Sequence, residues 1–370
     1  MAHKYKIDIW ILLPVLLLMI FSIGAVYSAS SSFALEKFQD SNYLIKQHAI
    51  KIIISIAVIF IVARIDYEYS ESISKPLIWI TIGLLFYTLF SGGAIKGASR
   101  WVNLGPLSFQ PSEFARYAIV LYIANLLARK KDYINLLYKG YLPVIFYVML
   151  VTGLILVQPN FSVSLIIFTT CIIMISLSQA KLKHIAFTLA ALLPLAAVFV
   201  MSKNYIMERI SSYSEYKSSG NTSYQLQQAL IGFGNGGLFG IGPGNSNQRD
   251  FFLPEAHGDF IFSIIGEEYG FIGTFIILVL YFLILVRGFK IAKQCKDEFG
   301  KYLAFGITTL ITLNALVNMS VASGVIPTTG VTLPFVSYGG TSIIFSAIAI
   351  GVLLNISSHR DGTDDGLSIQ

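Results

Sequence analysis

Ile9-Trp-Ile-Leu-Leu-Pro-Val-Leu-Leu-Leu-Met-Ile-Phe-Ser-Ile-Gly-Ala-Val-Tyr27 carries no charged side chain. As a helix it would reach roughly 28 Å, close to the ~30 Å of bilayer hydrocarbon. It is too long for a signal-peptide core and lacks a clear small-residue cleavage site, so it is expected to stay as a first membrane helix. The pattern recurs at 8–29, 47–64, 76–92, 112–129, 141–158, 161–179, 184–202, 260–286, 302–323 and 335–356, about ten spans in all. Pro14, Pro143 and Pro194 fall inside or near the starts of spans, where membrane helices tolerate proline.

Composition agrees. Of 370 residues, 55% are hydrophobic and only 12% charged, with a net charge of +6. A soluble domain would carry about a quarter charged residues. The expected fold is an all-α integral membrane protein read as one membrane domain, residues 1–370, without an internal repeat of transporter type. Cys171 lies in an apolar run and Cys295 in a basic loop, which disfavours a disulfide or a thiolate metal site.

Lys and Arg set the orientation. With the N-terminus inside, sixteen fall in cytoplasmic segments and five in the short outer loops. Both termini are then cytoplasmic, and residues 203–258, between spans seven and eight, form one long extracytoplasmic loop. Residues 302–358 hold no Asp, Glu, Lys or Arg, yet Gly324-Val-Ile-Pro-Thr-Thr-Gly-Val-Thr-Leu-Pro334 interrupts them. Such a connection is expected to be a partly buried or re-entrant outer turn. The tail from Ser357 is short and polar, expected to be disordered.

Within the long loop, Thr222-Ser-Tyr-Gln225 has capping-box form and predicts a short amphipathic helix on the membrane surface, with Leu226, Leu230 and Phe233 on one face and Gly234 as its stop. Seven glycines follow between Gly232 and Gly244. Gly232-Phe-Gly-Asn-Gly-Gly237 spells a dinucleotide motif, but no strand or βαβ unit surrounds it. A tight loop and a cradle of backbone amides for an anion both remain open.

Ionisable residues concentrate just beyond: Arg249, Asp250, Glu255, His257, Asp259, Glu267 and Glu268. Asp259 falls at the mouth of the eighth span, where an ordinary N-cap would also put a carboxylate. Glu267 and Glu268 lie deeper, and a bare carboxylate in hydrocarbon costs at least ~2.5–3.5 kcal/mol, so each must meet a partner or a wet cavity. Helix geometry turns the two toward different neighbours. The fourth span opens with Gln110-Pro-Ser-Glu113-Phe-Ala-Arg116, in which Glu113 and Arg116 can pair. Ahead of it, Lys96 and Arg100 beside Trp101 read either as interfacial anchors or as a cradle for a lipid-linked phosphate.

Lys96-Gly-Ala-Ser-Arg-Trp101, Phe109-Gln-Pro-Ser-Glu-Phe114, Gln158-Pro-Asn-Phe161, Leu253-Pro-Glu-Ala-His-Gly-Asp-Phe-Ile-Phe262, Ile265-Gly-Glu-Glu268 and Leu333-Pro-Phe-Val-Ser-Tyr-Gly-Gly340 together resemble the SEDS family (shape, elongation, division and sporulation) along essentially the whole chain. Tyr27-Ser-Ala-Ser30, Leu253-Pro-Glu-Ala256 and Pro327-Thr-Thr-Gly-Val-Thr-Leu-Pro334 are more similar to its division branch than to its elongation branch. The resemblance implies a glycosyltransferase of the bacterial cytoplasmic membrane that polymerises lipid II, an undecaprenyl-diphosphate-linked disaccharide-pentapeptide, into peptidoglycan. It also implies a class B penicillin-binding protein (a transpeptidase) as partner, alongside other divisome or elongasome membrane proteins.

The family's essential aspartate falls on Asp259, with Gly258 replacing the usual threonine and Arg116 standing where many relatives carry lysine. Asp259 would then be the general base. Lys96, Arg100 and Arg249, or a divalent cation (Mg²⁺ or Mn²⁺), would stabilise the departing diphosphate. Glu113 and Arg116 would shape the cavity, and His257 would hold structure or assist the base. Two rivals remain at this stage: a lipid II flippase, and a noncatalytic scaffold for a transpeptidase. Polar residues gathered at the outer mouth, not the midplane, count against the flippase.

Overall fold

The computed structural model describes residues 7–90, 102–104, 107–220, 223–249, 253 and 256–359. Ten helices there coincide with the ten expected spans: α1 (Ile9–Phe38), α2 (Tyr43–Ala63), α3 (Glu68–Phe90), α4 (Pro111–Arg129), α5 (Leu142–Val157, entered through a π-helical turn), α6 (Phe161–Leu177), α7 (Leu182–Met201), α10 (Ile261–Gln294), α11 (Glu298–Ala322) and α12 (Ser342–Ser358). Seven are long and apolar enough to cross a membrane, counting α5 with its entry turn, while α6 and α12 are apolar but 17 residues long. The remaining one, α4, is central. It packs on α3, α5, α6, α11 and α12 and is buried over most of its length, so it can carry Glu113 and Arg116 without meeting lipid. The chain is a multi-pass membrane protein.

The first helix begins under an Asp8 cap on Trp10 N–H, and the Asp8 carboxylate also pairs with Arg287 at 2.8 Å. Asp8 N–H donates to Ser357 Oγ at 3.2 Å. The start of α1, the far part of α10 and the end of α12 therefore meet at one end of the bundle.

The region expected to be a loop with one helix holds two, α8 (Asn204–Ser219) and α9 (Tyr224–Gly236). The polar face of α8 concealed it, because most of its residues are exposed and the run reads as loop. Ser223 caps α9 without a side-chain bond, and Thr222, on which the expected capping box begins, lies outside the described residues. The helix runs past Gly234 to Gly236. Its buried face is Leu226, Ala229, Gly232 and Gly236, with Leu230 and Phe233 only half-buried. That shift follows from its neighbour: α9 packs along α10, and a side chain at Gly236 would strike the Gly266 carbonyl.

The last span also departs from expectation, starting at Ser342 instead of 335. Residues 323–341 form an irregular segment, with Val331, Leu333, Phe335 and Val336 buried in protein, as the Gly/Pro interruption implied. A short hairpin not anticipated from the sequence, β1 (Val102–Leu104) with β2 (Leu107–Phe109), leads into α4. Residues 360–370 of the tail lie outside the described residues.

The long α10 is broken at Gly270, whose φ of 63° and ψ of −161° are open only to glycine. The glycine-rich stretch fills the break. Ile241 and Gly242 N–H donate to the Glu267 and Glu268 carbonyls, and Gly237 and Leu238 carbonyls accept from Phe271 and Ile272 N–H, at 2.9–3.2 Å. The glycines serve contact with α10: a side chain at Gly240 would strike the Glu268 carbonyl. Gly270→Ala should lower the unfolding temperature of the detergent-solubilised protein by many degrees, whereas Gly153→Ala, in open space on α5, should leave it unchanged or raise it slightly.

Candidate functional site

The loop between α9 and α10 is fixed from two sides. On one, Glu267 accepts from Ser246 Oγ, from Asn235 Nδ2 at 3.2 Å and from Gln248 N–H at 3.2 Å. On another, Glu268 accepts from Ser28 Oγ on α1 and from the Gly244 and Ser246 amides. Arg249 reaches the same place, donating to Ser28 Oγ at 3.2 Å. Both carboxylates are buried and face different neighbours, as their spacing implied. Their ligands are this chain's own, so they staple the loop to α1 and α10.

Asp259 sits just outside α10, whose N-cap is Phe260, so the ordinary N-cap reading does not hold. Three successive carbonyls of its turn are gripped. His257 O accepts from Tyr338 N–H at 2.8 Å, Gly258 O from Ser337 Oγ at 2.7 Å, and Asp259 O from Asn318 Nδ2 at 2.8 Å. Asn318 also donates to Val331 O at 2.6 Å, tying α11 to the irregular segment. The His257 ring packs against those of Phe33 and Tyr338.

The same segment meets the charge pair of α4. Arg116 and Glu113 are 2.9 Å apart and nearly inaccessible, and Arg116 donates to Asn314 Oδ1 at 3.3 Å. Asn314 in turn donates to Thr332 O at 3.4 Å. One turn of α11 thus carries two asparagines that join α4, the irregular segment and the Asp259 turn. Sequence reasoning passed over both, although two asparagines four apart in an uncharged span signal interhelical bonding.

The half-buried Asp259 faces a cleft of about 460 Å³ shared with α8, α9 and the irregular segment, lined also by Glu208, Arg209, Tyr213, Gln225 and Gly330. A side chain at Gly330 would sit against Asp259 Oδ2, so glycine there keeps the carboxylate uncovered. A second cavity of about 390 Å³, almost wholly apolar, runs between α6, α8 and α11. The two cavities share Tyr205, Arg209, Pro327 and Thr328. The site is therefore a polar cleft with an aspartate, lying beside an apolar groove with which it shares part of its lining.

Of the residues singled out from sequence, Asp259 lines this cleft, and Glu113, Arg116 and His257 support its walls. Glu267, Glu268 and Arg249 form a separate cluster against α1. Lys96 and Arg100 lie outside the described residues. No group of three His, Cys, Asp or Glu able to hold a metal occurs among the described residues. Asp259 and Glu208 are the two carboxylates that line the cleft among the described residues.

The class that fold and site define is a multi-pass helical membrane protein with a clamped carboxylate in a polar cleft beside an apolar groove. Residues 9–362 match the FtsW/RodA/SpoVE family of cell cycle proteins, and the chain belongs to that family. It is 37% identical over 361 residues to the probable peptidoglycan glycosyltransferase FtsW of Geobacter metallireducens, covering 97% of this chain and 96% of that one. It is likewise 37% identical over 361 residues to stage V sporulation protein E of Bacillus subtilis, with 97% and 99% covered. Among solved structures it is similar to a chain of a peptidoglycan synthase complex that coordinates polymerization and crosslinking, with TM-score 0.78, 26% identity and coverage of 95% and 97%. The rod shape determining protein RodA of Thermus thermophilus gives TM-score 0.71, 25% identity and coverage of 96% and 98%.

Asn318→Leu should remove two hydrogen bonds to buried carbonyls, each loss worth ~1–3 kcal/mol. A clearly lowered unfolding temperature and faster proteolysis near residue 258 are the expected readouts.

Proposed function

We propose that this chain is a peptidoglycan glycosyltransferase that polymerises lipid II at the outer face of the bacterial cytoplasmic membrane. The observation that carries this reading is the clamped, half-buried Asp259 in a polar cleft that adjoins an apolar groove. Lipid II has the same division, a sugar–peptide head on a polyprenyl tail. The distribution of Lys and Arg favours an outward cleft, the side on which the head groups are presented.

Polymerisation requires a sugar 4-hydroxyl to attack the anomeric carbon of a donor whose leaving group is a polyprenyl diphosphate. An alkyl hydroxyl is a poor nucleophile near neutral pH, and a positioned base contributes typically 10²–10⁴ in rate. Asp259 takes the hydroxyl proton as the new C–O bond forms and the bond to diphosphate breaks, with inversion in a single displacement. The grip on its turn fixes the carboxylate without reorganisation. A divalent ion, if bound by Asp259 and Glu208, would neutralise charge on the departing diphosphate.

The partner is a transpeptidase of the class B penicillin-binding type, which cross-links the nascent strand. The FtsW-named relatives and the motif details favour division over elongation, with enrichment at the septum. Asp259→Ala or Asp259→Asn should abolish glycan formation from lipid II by the purified complex in detergent, with insertion and monodispersity unchanged. Substantial polymer from either variant would refute the role of Asp259. A flippase would need a sealed bilayer to act, and a scaffold would tolerate the substitution.

A further inference from the structure

Arg209 of α8 is the only Lys or Arg lining either cavity among the described residues, and it lines both. We propose that it binds the diphosphate of the polyprenyl-linked donor. This rests on the polymerase reading above, and it follows from where the two cavities join. A donor with its tail in the apolar groove and its sugar beside Asp259 must place the linking diphosphate at their shared boundary. Tyr205, Arg209, Pro327 and Thr328 make that boundary, and only Arg209 brings charge.

The side chain is exposed and donates to Thr329 O at 3.4 Å, which steers its guanidinium along the irregular segment while other N–H groups stay available. The neighbouring Tyr213 hydroxyl donates to Val325 O, holding α8 against that segment one turn further on. A planar guanidinium meets two phosphate oxygens at once, which a lysine cannot reproduce. As the glycosidic bond forms, the negative charge gained by the leaving diphosphate arises next to this cation. Arg249, the loop cation singled out from sequence, instead sits against Ser28.

The test uses the purified full chain with its transpeptidase partner. Binding of undecaprenyl diphosphate and its inhibition of polymerisation are measured for the wild type, Arg209→Ala, Arg209→Lys, Lys217→Ala and Asp259→Asn. Arg209→Ala should weaken undecaprenyl diphosphate about ten- to hundred-fold, the loss of a charged hydrogen-bonding partner, and raise KM for lipid II. Arg209→Lys should recover part of this. Lys217→Ala, a cation on the same helix outside both cavities, should behave as wild type, which excludes a general charge effect. Equal diphosphate affinity in Arg209→Ala and wild type, with polymerisation intact, overturns the assignment and leaves the polymerase reading standing. Arg209-dependent diphosphate binding in a wild-type complex that makes no glycan supports the anion site and overturns the polymerase reading instead. Asp259→Asn should lose turnover and keep diphosphate affinity, separating the two roles.

Discussion

Inside hydrocarbon, a backbone N–H or C=O without a partner costs several kcal/mol, and this fold twice abandons the helix that would satisfy it. The second of these departures lines the functional site. At Gly270 the α10 ladder opens and residues 237–242 enter to bond the exposed groups. At 323–341 the chain leaves α11 without a helix, and Asn314, Asn318 and Ser337 satisfy its carbonyls or those of the loop it touches. The irregular backbone is thereby tied down, and the second repair also holds the Asp259 turn.

Charge obeys the same constraint. Glu267 and Glu268 are surrounded by donors from the loop and α1, and Glu113 is neutralised by Arg116 inside a helix wrapped by protein. Each of these groups spends its bonding on this chain, which leaves it ill-suited to chemistry on a substrate. Asp259 and Arg209, by contrast, line the polar cleft.

Much of this was legible beforehand. Predominantly apolar runs of span length marked ten helices, because hydrophobic length is a local property. The Gly324–Pro334 interruption marked an irregular buried turn, since proline and glycine act on their own backbone. The two glutamates demanded partners on energetic grounds alone. What stayed hidden depends on distant residues. The polar residues of α8 mask a short stripe of Ile206, Ile210 and Tyr213, and the helix is tied to Val325 and Thr329, more than a hundred positions away. The glycines of α9 looked like loop material until α10 was seen to lie against them. Arg249 and Arg209 were equally plausible cations by composition, and only the folded chain separates their neighbourhoods.

On the proposed function, the clamped aspartate, the cation lining both cavities and the apolar groove make one path for a lipid-linked sugar. The most direct measurement is a structure of the complex with a non-reacting lipid II analogue. The account requires the tail between α6, α8 and α11, and a sugar hydroxyl about 2.6–3.2 Å from the Asp259 carboxylate. An analogue seated elsewhere, with Asp259 out of reach of every sugar oxygen, would contradict it.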